Sequence, residues 1–317
     1  MSLRQYVTKR LLLTVPILLG VTVITFLMTH LQPGDPVDVL IPLGANPSEE
    51  AIRQLRRQYH LNEPLYVQYF LWLKDAMVFD FGVSIQRDSL VSEAILTRLP
   101  YTLLLGVFAL FIAVAIGVPA GIIAAVRKGD KVDEVSRIAA LLGIATPNFW
   151  LGLILIFIFG VQLGWISTIP PSDVSVLDPA LLTYMILPAV TLGTASSALL
   201  MRIMRSSMIE ELNKEYVRMA RAKGLAARTV IVKHVARNSL ISVVTVAALQ
   251  IAFIVDGAVV IEQVFSMRGV GRLILQAILQ RDFPIIQAGV LMIGVVIVFA
   301  NLAADIIYSF LDPRIRY

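Results

Sequence analysis

Six apolar stretches, each long enough to cross a lipid bilayer, constrain this 317-residue chain more than any other feature. A spanning helix needs roughly 20 apolar residues to traverse the hydrocarbon. The stretches are Leu11–Thr29, Leu99–Val126, Ile138–Leu163, Leu181–Met201, Ser239–Ile261 and Pro284–Leu311. In hydrocarbon a backbone must satisfy its own hydrogen bonds, so runs of this length fold as helices. The expected fold is an all-α membrane protein with six transmembrane helices. Only 15% of residues are charged, where a soluble domain carries about 25%, and 57% are hydrophobic. The net charge of +5 comes from residues clustered beside the spans, so no nucleic-acid partner is expected. Cysteine is absent, which excludes disulfides and thiolate metal sites. His30, His60 and His234 lie too far apart to form a ligand spacing.

Arg4, Lys9 and Arg10 precede the first span, whose apolar run is longer than a cleaved leader's and lacks an A-x-A site. It reads as a retained anchor. Lys and Arg in short loops set orientation. Arg127, Lys128, Lys131 and Arg137 fall between spans two and three, nine basic residues lie from Arg202 to Arg237, and Arg314 and Arg316 follow span six. The short loops on the other side hold Arg268, Arg272 and Arg281. This predicts both termini inside (N-in/C-in). The expected segments are 1–30 (cytoplasmic N-terminus and first helix), 31–98 (a long extracytoplasmic loop) and 99–317 (a five-helix core with a cytoplasmic loop at 202–238).

The outer loop carries its own signals. Pro33-Gly34-Asp35-Pro36 ends the first span as a turn. Asn46-Pro47-Ser48-Glu49 predicts a helix start with Asn46 as cap, and Ile52, Leu55 and Tyr59 form one stripe. Tyr66, Tyr69, Phe70, Trp72 and Leu73 then make an aromatic stretch suited to the bilayer surface or to a partner.

The block between spans four and five is too long and too charged for a simple turn. Ser206 to Arg221 reads as a helix, with Glu210, Glu211 and Glu215 early and Arg218, Arg221 and Lys223 late, as the helix dipole favours. Gly224 stops it, and a second short helix is expected from about Ala227 to Val235. Physics alone leaves two readings: a rigid docking knob, or a solvated loop drawn to anionic lipid headgroups.

Motifs favour the knob. Glu215-Tyr-Val-Arg-Met-Ala-Arg-Ala-Lys-Gly-Leu225 with His234-Val-Ala-Arg-Asn238 resembles the EAA coupling loop of ABC importer permeases, most closely the dipeptide/oligopeptide/nickel family. Further segments match in order along the chain: Pro33 to Pro36, Asp80-Phe-Gly-Val-Ser84, Ile186-Leu-Pro-Ala189, Arg202 to Met208, Gly269-Val-Gly-Arg272, Arg281-Asp-Phe-Pro284 and Asp312 to Arg316. Two departures stand out. Arg218 and Met219 occupy the Glu and first Ala positions of the coupling motif, and Ser266-Met-Arg-Gly269 stands where the family has Ser-Trp-Pro-Gly.

The resemblance implies a permease subunit of the prokaryotic inner membrane, working with a second homologous permease, two ATPase subunits or domains and an extracytoplasmic binding protein. The chain has no G-x-x-x-x-G-K-[ST] loop, so ATP and Mg²⁺ belong on the partner ATPase. Glu215, Arg218, Ala220, Arg221, Lys223 and Gly224 are the expected ATPase-coupling residues. Gln250 and Asp256, polar at membrane depth, are pathway candidates; Asp256 is equally read as paired across to the partner permease or wetted at the outer mouth. Glu262, Arg268, Arg272 and Arg281 belong on the outer rim, where either binding-protein docking or plain solvation of charge would account for them. Asp305 is expected to cap or to pair with Arg314. Pro119, Pro147 and Pro188 should kink spans two to four. The implied solute is a di- or oligopeptide, with nickel or an oligosaccharide as alternatives. A secondary transporter working without an ATPase is the rival class. It would show ion-coupling carboxylates and an internal repeat, which fits this chain poorly.

Overall fold

The computed structural model describes residues 3–30, 37, 48–58, 60–171, 174, 175 and 177–311. Among these, regular structure is helical apart from one isolated antiparallel bridge between Val83 and Leu90. The helices are α1 (Leu3–His30), α2 (Glu49–Gln58), α3 (Leu65–Met77), α4 (Val91–Leu96), α5 (Leu99–Val126), α6 (Lys131–Ala145), α7 (Asn148–Leu155), α8 (Pro179–Leu212), α9 (Glu215–Ala222), α10 (Ala227–Thr229), α11 (Arg237–Val264), α12 (Val270–Gln280) and α13 (Phe283–Leu311). Two π-helical stretches, Ile156–Gln162 and Val230–Ala236, extend α7 and join α10 to α11.

Among the described residues, five runs are long and apolar enough to span: Thr8–Met28, Val91–Val126, Pro179–Leu212, Ala227–Val264 and Phe283–Ile306. A sixth is a bent pair, Lys131–Ala145 with Asn148–Gln162, meeting at 104°. The expected kink at Pro147 is therefore a full break. Proline lacks an N–H and pushes the preceding residue out of the helical region; Thr146 has φ −79° and ψ 124°. Helices α5 and α8 run unbroken past Pro119 and Pro188.

The chain forms two compact units. The first comprises Met1–Val7, Leu103–Met267 and Ala300–Tyr317, the second Thr8–Thr102 and Arg268–Phe299. In the first, α8 is the hub: 72% of its apolar window is buried, against 22% to 33% for the other unbroken spans. Lipid is as apolar as leucine, so membrane helices associate through close packing of small residues. Gly117 and Gly121, spaced four apart on α5, do this. A Cβ at Gly117 would lie 2.5 Å from the Ser197 carbonyl oxygen, and one at Gly121 would lie 2.7 Å from that of Met201. From the α8 side, a Cβ on Gly193 would fall 2.6 Å from the Ala109 carbonyl oxygen. Large apolar residues such as Phe111, Leu141 and Val161 stay exposed. That pattern suits a surface solvated by acyl chains.

The second unit has a separate core, with Val91, Ala94 and Ile95 of α4 against Val270, Leu273, Ile274 and Ala277 of α12 and Ile285, Ala288 and Met292 of α13. Helix α12 lies where the sequence reading expects only a short outer loop. Eleven residues cannot span a membrane, but their apolar face completes this core. The Asp80-Phe-Gly-Val-Ser84 segment is shaped by Asp80, which accepts from the Gly82 N–H at 3.0 Å, and by Gly82 itself at φ +72°. Ser84 then donates to Asp282, which also accepts from the N–H groups of Ile85 (3.3 Å) and Gln86 (3.4 Å). Two motifs that the sequence shows far apart thus meet at one buried carboxylate.

The outer-loop expectations fare unevenly. Asn46, Pro47 and Tyr59 lie outside the described residues. The α2 cap is Ser48, whose Oγ accepts from the Ala51 N–H at 3.3 Å. In the aromatic stretch, Tyr69 and Trp72 face inward. Their rings pack on Phe26 of α1 at 5.5 and 5.8 Å, and the Tyr69 hydroxyl shares a 2.9 Å hydrogen bond with Thr22. Tyr66 and Phe70 remain exposed.

Candidate functional site

The block between spans four and five is organised around α9. Helix α8, at 34 residues, is about 51 Å long. The hydrocarbon takes only about 30 Å of it. Its C-terminal turns, carrying Arg202, Arg205, Glu210 and Glu211, therefore project beyond the apolar layer. The helix expected over Ser206 to Arg221 is in fact two. Helix α8 ends at Leu212, where the Asn213 side chain donates back to the Ile209 carbonyl at 2.9 Å, and α9 restarts at Glu215 after an extended Lys214. Competition of the Asn side chain with the helical hydrogen-bond ladder accounts for the break.

Eight residues make a helix too short to persist alone, so α9 depends on its packing. Val217 is fully buried among Met204, Met208, Val230 and Val235. Glu215, Arg218, Arg221 and, at the C-cap, Lys223 are exposed, and Ala220 is half-buried. Glu215 occupies the first turn, where the helix dipole favours an anion. At the other end Gly224 has φ +75°, and the Leu225 N–H returns to the Ala220 carbonyl at 3.3 Å. A β-carbon at Gly224 would meet nothing within 4 Å, so backbone conformation alone requires glycine there. The six expected coupling residues thus sit on one short helix and its cap.

The second short helix expected over Ala227 to Val235 is not separate. Helix α10 passes through the π-helical stretch into α11 and forms the base of span five.

Two ionic arrangements support this region, and the sequence reading missed both. Asp133, buried in the first turn of α6, is held bidentately by Arg205 (Nε 2.6 Å, Nη2 2.7 Å) and accepts from the Gly129 N–H at 3.0 Å. Lys214 pairs with Glu211, whose second oxygen accepts from the Tyr216 hydroxyl at 2.6 Å. That hydroxyl in turn accepts from Asn238 Nδ2 at 3.2 Å. Tyr216 and Asn238 stand in the motifs already singled out, but no periodicity pairs residues 22 apart.

The pathway candidates part company. Gln250 is buried and donates to Ser196 Oγ at 3.0 Å, which ties α11 to α8. Asp256 is exposed, on a stripe with Leu249, Phe253 and Val260. Six helical residues separate the two side chains by about 120°. On the rim, Glu262 is fully buried, which removes it from any docking surface. Arg268 and Arg281 are exposed and Arg272 is half-buried; Arg281 caps α12 at φ +55°. Met267, at the departure from the family's Ser-Trp-Pro-Gly, is buried beside a left-handed Ser266. Arg314, the expected partner of Asp305, lies outside the described residues. Among the described residues no three His, Cys, Asp or Glu side chains gather as a metal site.

Known proteins resemble this chain. The family model for the binding-protein-dependent transport system inner membrane component matches residues 117–317, and that for the N-terminal part of such membrane components matches residues 3–106. The oligopeptide transport system permease protein AppB of Bacillus subtilis (strain 168) is 40% identical, over 98% of this chain and 99% of that protein. The dipeptide transport system permease protein DppB of Alkalihalophilus pseudofirmus is 39% identical over 98% and 99%. The glutathione transport system permease protein GsiC of Escherichia coli (strain K12) is 38% identical over 99% of each. An inward-facing structure of the MetNI methionine ABC transporter shares the fold, with TM-score 0.55 and 16% identity over 67% of this chain and 93% of that one. With matches over nearly its whole length and this helical core, the chain belongs to the family of inner-membrane components of binding-protein-dependent transport systems, as a permease subunit of an ABC importer.

Proposed function

We propose that this subunit forms, with a second homologous permease, the route by which a short peptide released from an extracytoplasmic binding protein enters the cell, and that α9 is seated in a groove of a partner ATPase. The observation that carries the coupling role is the two-faced mounting of α9, with Val217 locked into the core while Arg218, Arg221 and Lys223 stand in solvent. A short stiff helix fixed on one side transmits displacement, whereas a solvated loop would absorb it. Small Ala220 and Gly224 permit close approach, and Glu215, Arg218, Arg221 and Lys223 supply charges for the groove. ATP and Mg²⁺ are held by the ATPase pair, whose closure draws the two coupling helices together and turns the cavity outward.

Placement of Lys and Arg supports both termini inside, with residues 31–98 outside and the 202–238 loop in the cytoplasm. The peptide assignment rests on relatives named for oligopeptide, dipeptide and glutathione transport. Asp256, exposed on span five, is assigned to the pathway, where its carboxylate meets the amino terminus of a peptide; Asp256→Asn should raise the KM for peptide uptake and leave complex assembly unchanged. Arg268, Arg272 and Arg281 are assigned to binding-protein docking, and reversing the exposed pair, Arg268 and Arg281, should weaken that association.

Affinity isolation from the native host in gentle detergent, with stoichiometry by mass spectrometry, tests the reading. A second permease and a phosphate-loop ATPase in fixed ratio are expected, and ligand screening of the co-isolated binding protein separates peptide from nickel or oligosaccharide. Isolation of the chain alone, transporting without ATP after reconstitution, would overturn it.

A further inference from the structure

We infer that Tyr216 is the positioning residue that fixes the rotation of α9 and makes the ends of spans four and five move with it. This rests on the coupling role proposed for α9. The argument begins with what apolar packing cannot do. Burial of Val217 holds α9 against the core, but the hydrophobic effect is non-directional. A two-turn helix held by one apolar face can still roll about its axis, and rolling would swing Arg218, Arg221 and Lys223 out of register with any groove.

Directional contacts remove that freedom, and α9 has one group that supplies them to both neighbours. The Tyr216 ring packs at the edge of the Val217 cluster. Its hydroxyl donates to Glu211 on the last turn of α8 and accepts from Asn238 at the start of α11. One oxygen thus joins three helices, two of which continue as membrane spans. Lys214, in the turn between α8 and α9, balances the Glu211 charge. Burial, with the Glu211 carboxylate beside it, raises the phenol above its ordinary value. The proton therefore stays on Tyr216, and the donor-acceptor direction of the relay does not reverse at neutral pH.

The test uses the assembled complex, with both permeases, the ATPase subunits and the binding protein, reconstituted in liposomes. The readout is the ratio of ATP hydrolysis with binding protein to hydrolysis without it, which needs no knowledge of the solute. Tyr216→Phe keeps the ring and its packing and removes only the hydroxyl. The ratio should fall about tenfold or more, the scale expected for losing a hydrogen bond to a charged group. Asn238→Ala should lower it in the same direction, and the double variant should be no worse than Tyr216→Phe. A merely structural role would instead lower the melting temperature of the complex and leave the ratio intact. A wild-type ratio in Tyr216→Phe overturns the inference. Where that variant fails to assemble, a wild-type ratio in Asn238→Ala overturns it equally.

Arg218→Glu with Arg221→Glu separates this from the parent reading. If that surface variant loses the ratio while Tyr216→Phe keeps it, α9 couples but Tyr216 does not position it. If the surface variant also retains wild-type ATPase association and ratio, the coupling role of α9 itself fails.

Discussion

Asp133 and Asp282 are both withdrawn from solvent, at 2% and 0% exposure, but they are held by partners of different mechanical character. Asp133, in the first unit, is gripped mainly by the guanidinium of Arg205, at the end of a long flexible stem. Asp282, in the second, is held by the short Ser84 hydroxyl and two backbone N–H groups of the same tight segment. A guanidinium can follow a helix that shifts by an ångström and keep both hydrogen bonds. A backbone amide can follow only if its whole segment moves. The carboxylate held mainly by a long side chain stands beside the helices proposed to move, and the one held by a single tight segment fixes the stretch before α4 to the turn before α13.

The largest effect should come from breaking the rigid node. Asp282→Ala strands the buried Ser84 hydroxyl outright and two part-buried amides in part, and at about 1–3 kcal/mol for a buried unsatisfied group the loss should reach about 3 kcal/mol. Thermal unfolding of the purified complex should register it, and proteolysis should open the segment around residues 82–90. Asp133→Ala comes next. Removing one partner of a buried pair costs about 3–5 kcal/mol, reduced here to about 2 kcal/mol because the Arg205 side chain is 20% exposed. Asp133→Asn with Arg205→Met should be milder than either single change. If the double variant is the worst of the three, the pair is not acting as compensating charges.

The same contrast between backbone and side-chain partners can be sharpened sterically in the first unit. A β-carbon at Gly121 would meet the Met201 carbonyl oxygen at 2.7 Å, and one at Gly257 would meet the Leu192 Cδ1 at the same distance. The carbonyl belongs to a packed helix, whereas the leucine tip can rotate. Gly121→Ala should therefore cost about 1–3 kcal/mol, as overpacking does. Gly257→Ala should cost well under that, and equal losses would mean that the leucine is as immobile as the helix. Gly224 meets nothing, so backbone conformation alone sets the cost of replacing it. Gly224→Ala should cost about 1–2 kcal/mol in backbone strain, and Gly224→Asp less, since Asp tolerates the left-handed region. Loss of transport in Gly224→Asp with normal insertion would then report on the ATPase groove; unchanged uptake at wild-type expression would sink the coupling assignment.

Much of this was readable in advance. Leu99–Val126 coincides with α5, and Pro284–Leu311 with all but one residue of α13, because a long apolar run has one way to satisfy its backbone in lipid. Gly224 was legible as a helix stop because glycine alone adopts that conformation without strain. The turn at Asn213-Lys214 was not, because good helix formers flank it on both sides. Nor was the buried state of Glu262, since a charge at the end of an apolar span looks like a rim residue until the fold encloses it.

The sequence by itself determined the class of protein and the position of its unbroken spans, since these follow from local hydropathy and contiguous motifs. Only the tertiary structure decided which polar groups satisfy one another: Asp282 with Ser84, Asp133 with Arg205, and Tyr216 with Glu211 and Asn238. Those pairings depend on which helices cross and where, and hydrogen bonds reach about 3 Å in space whatever the separation along the chain.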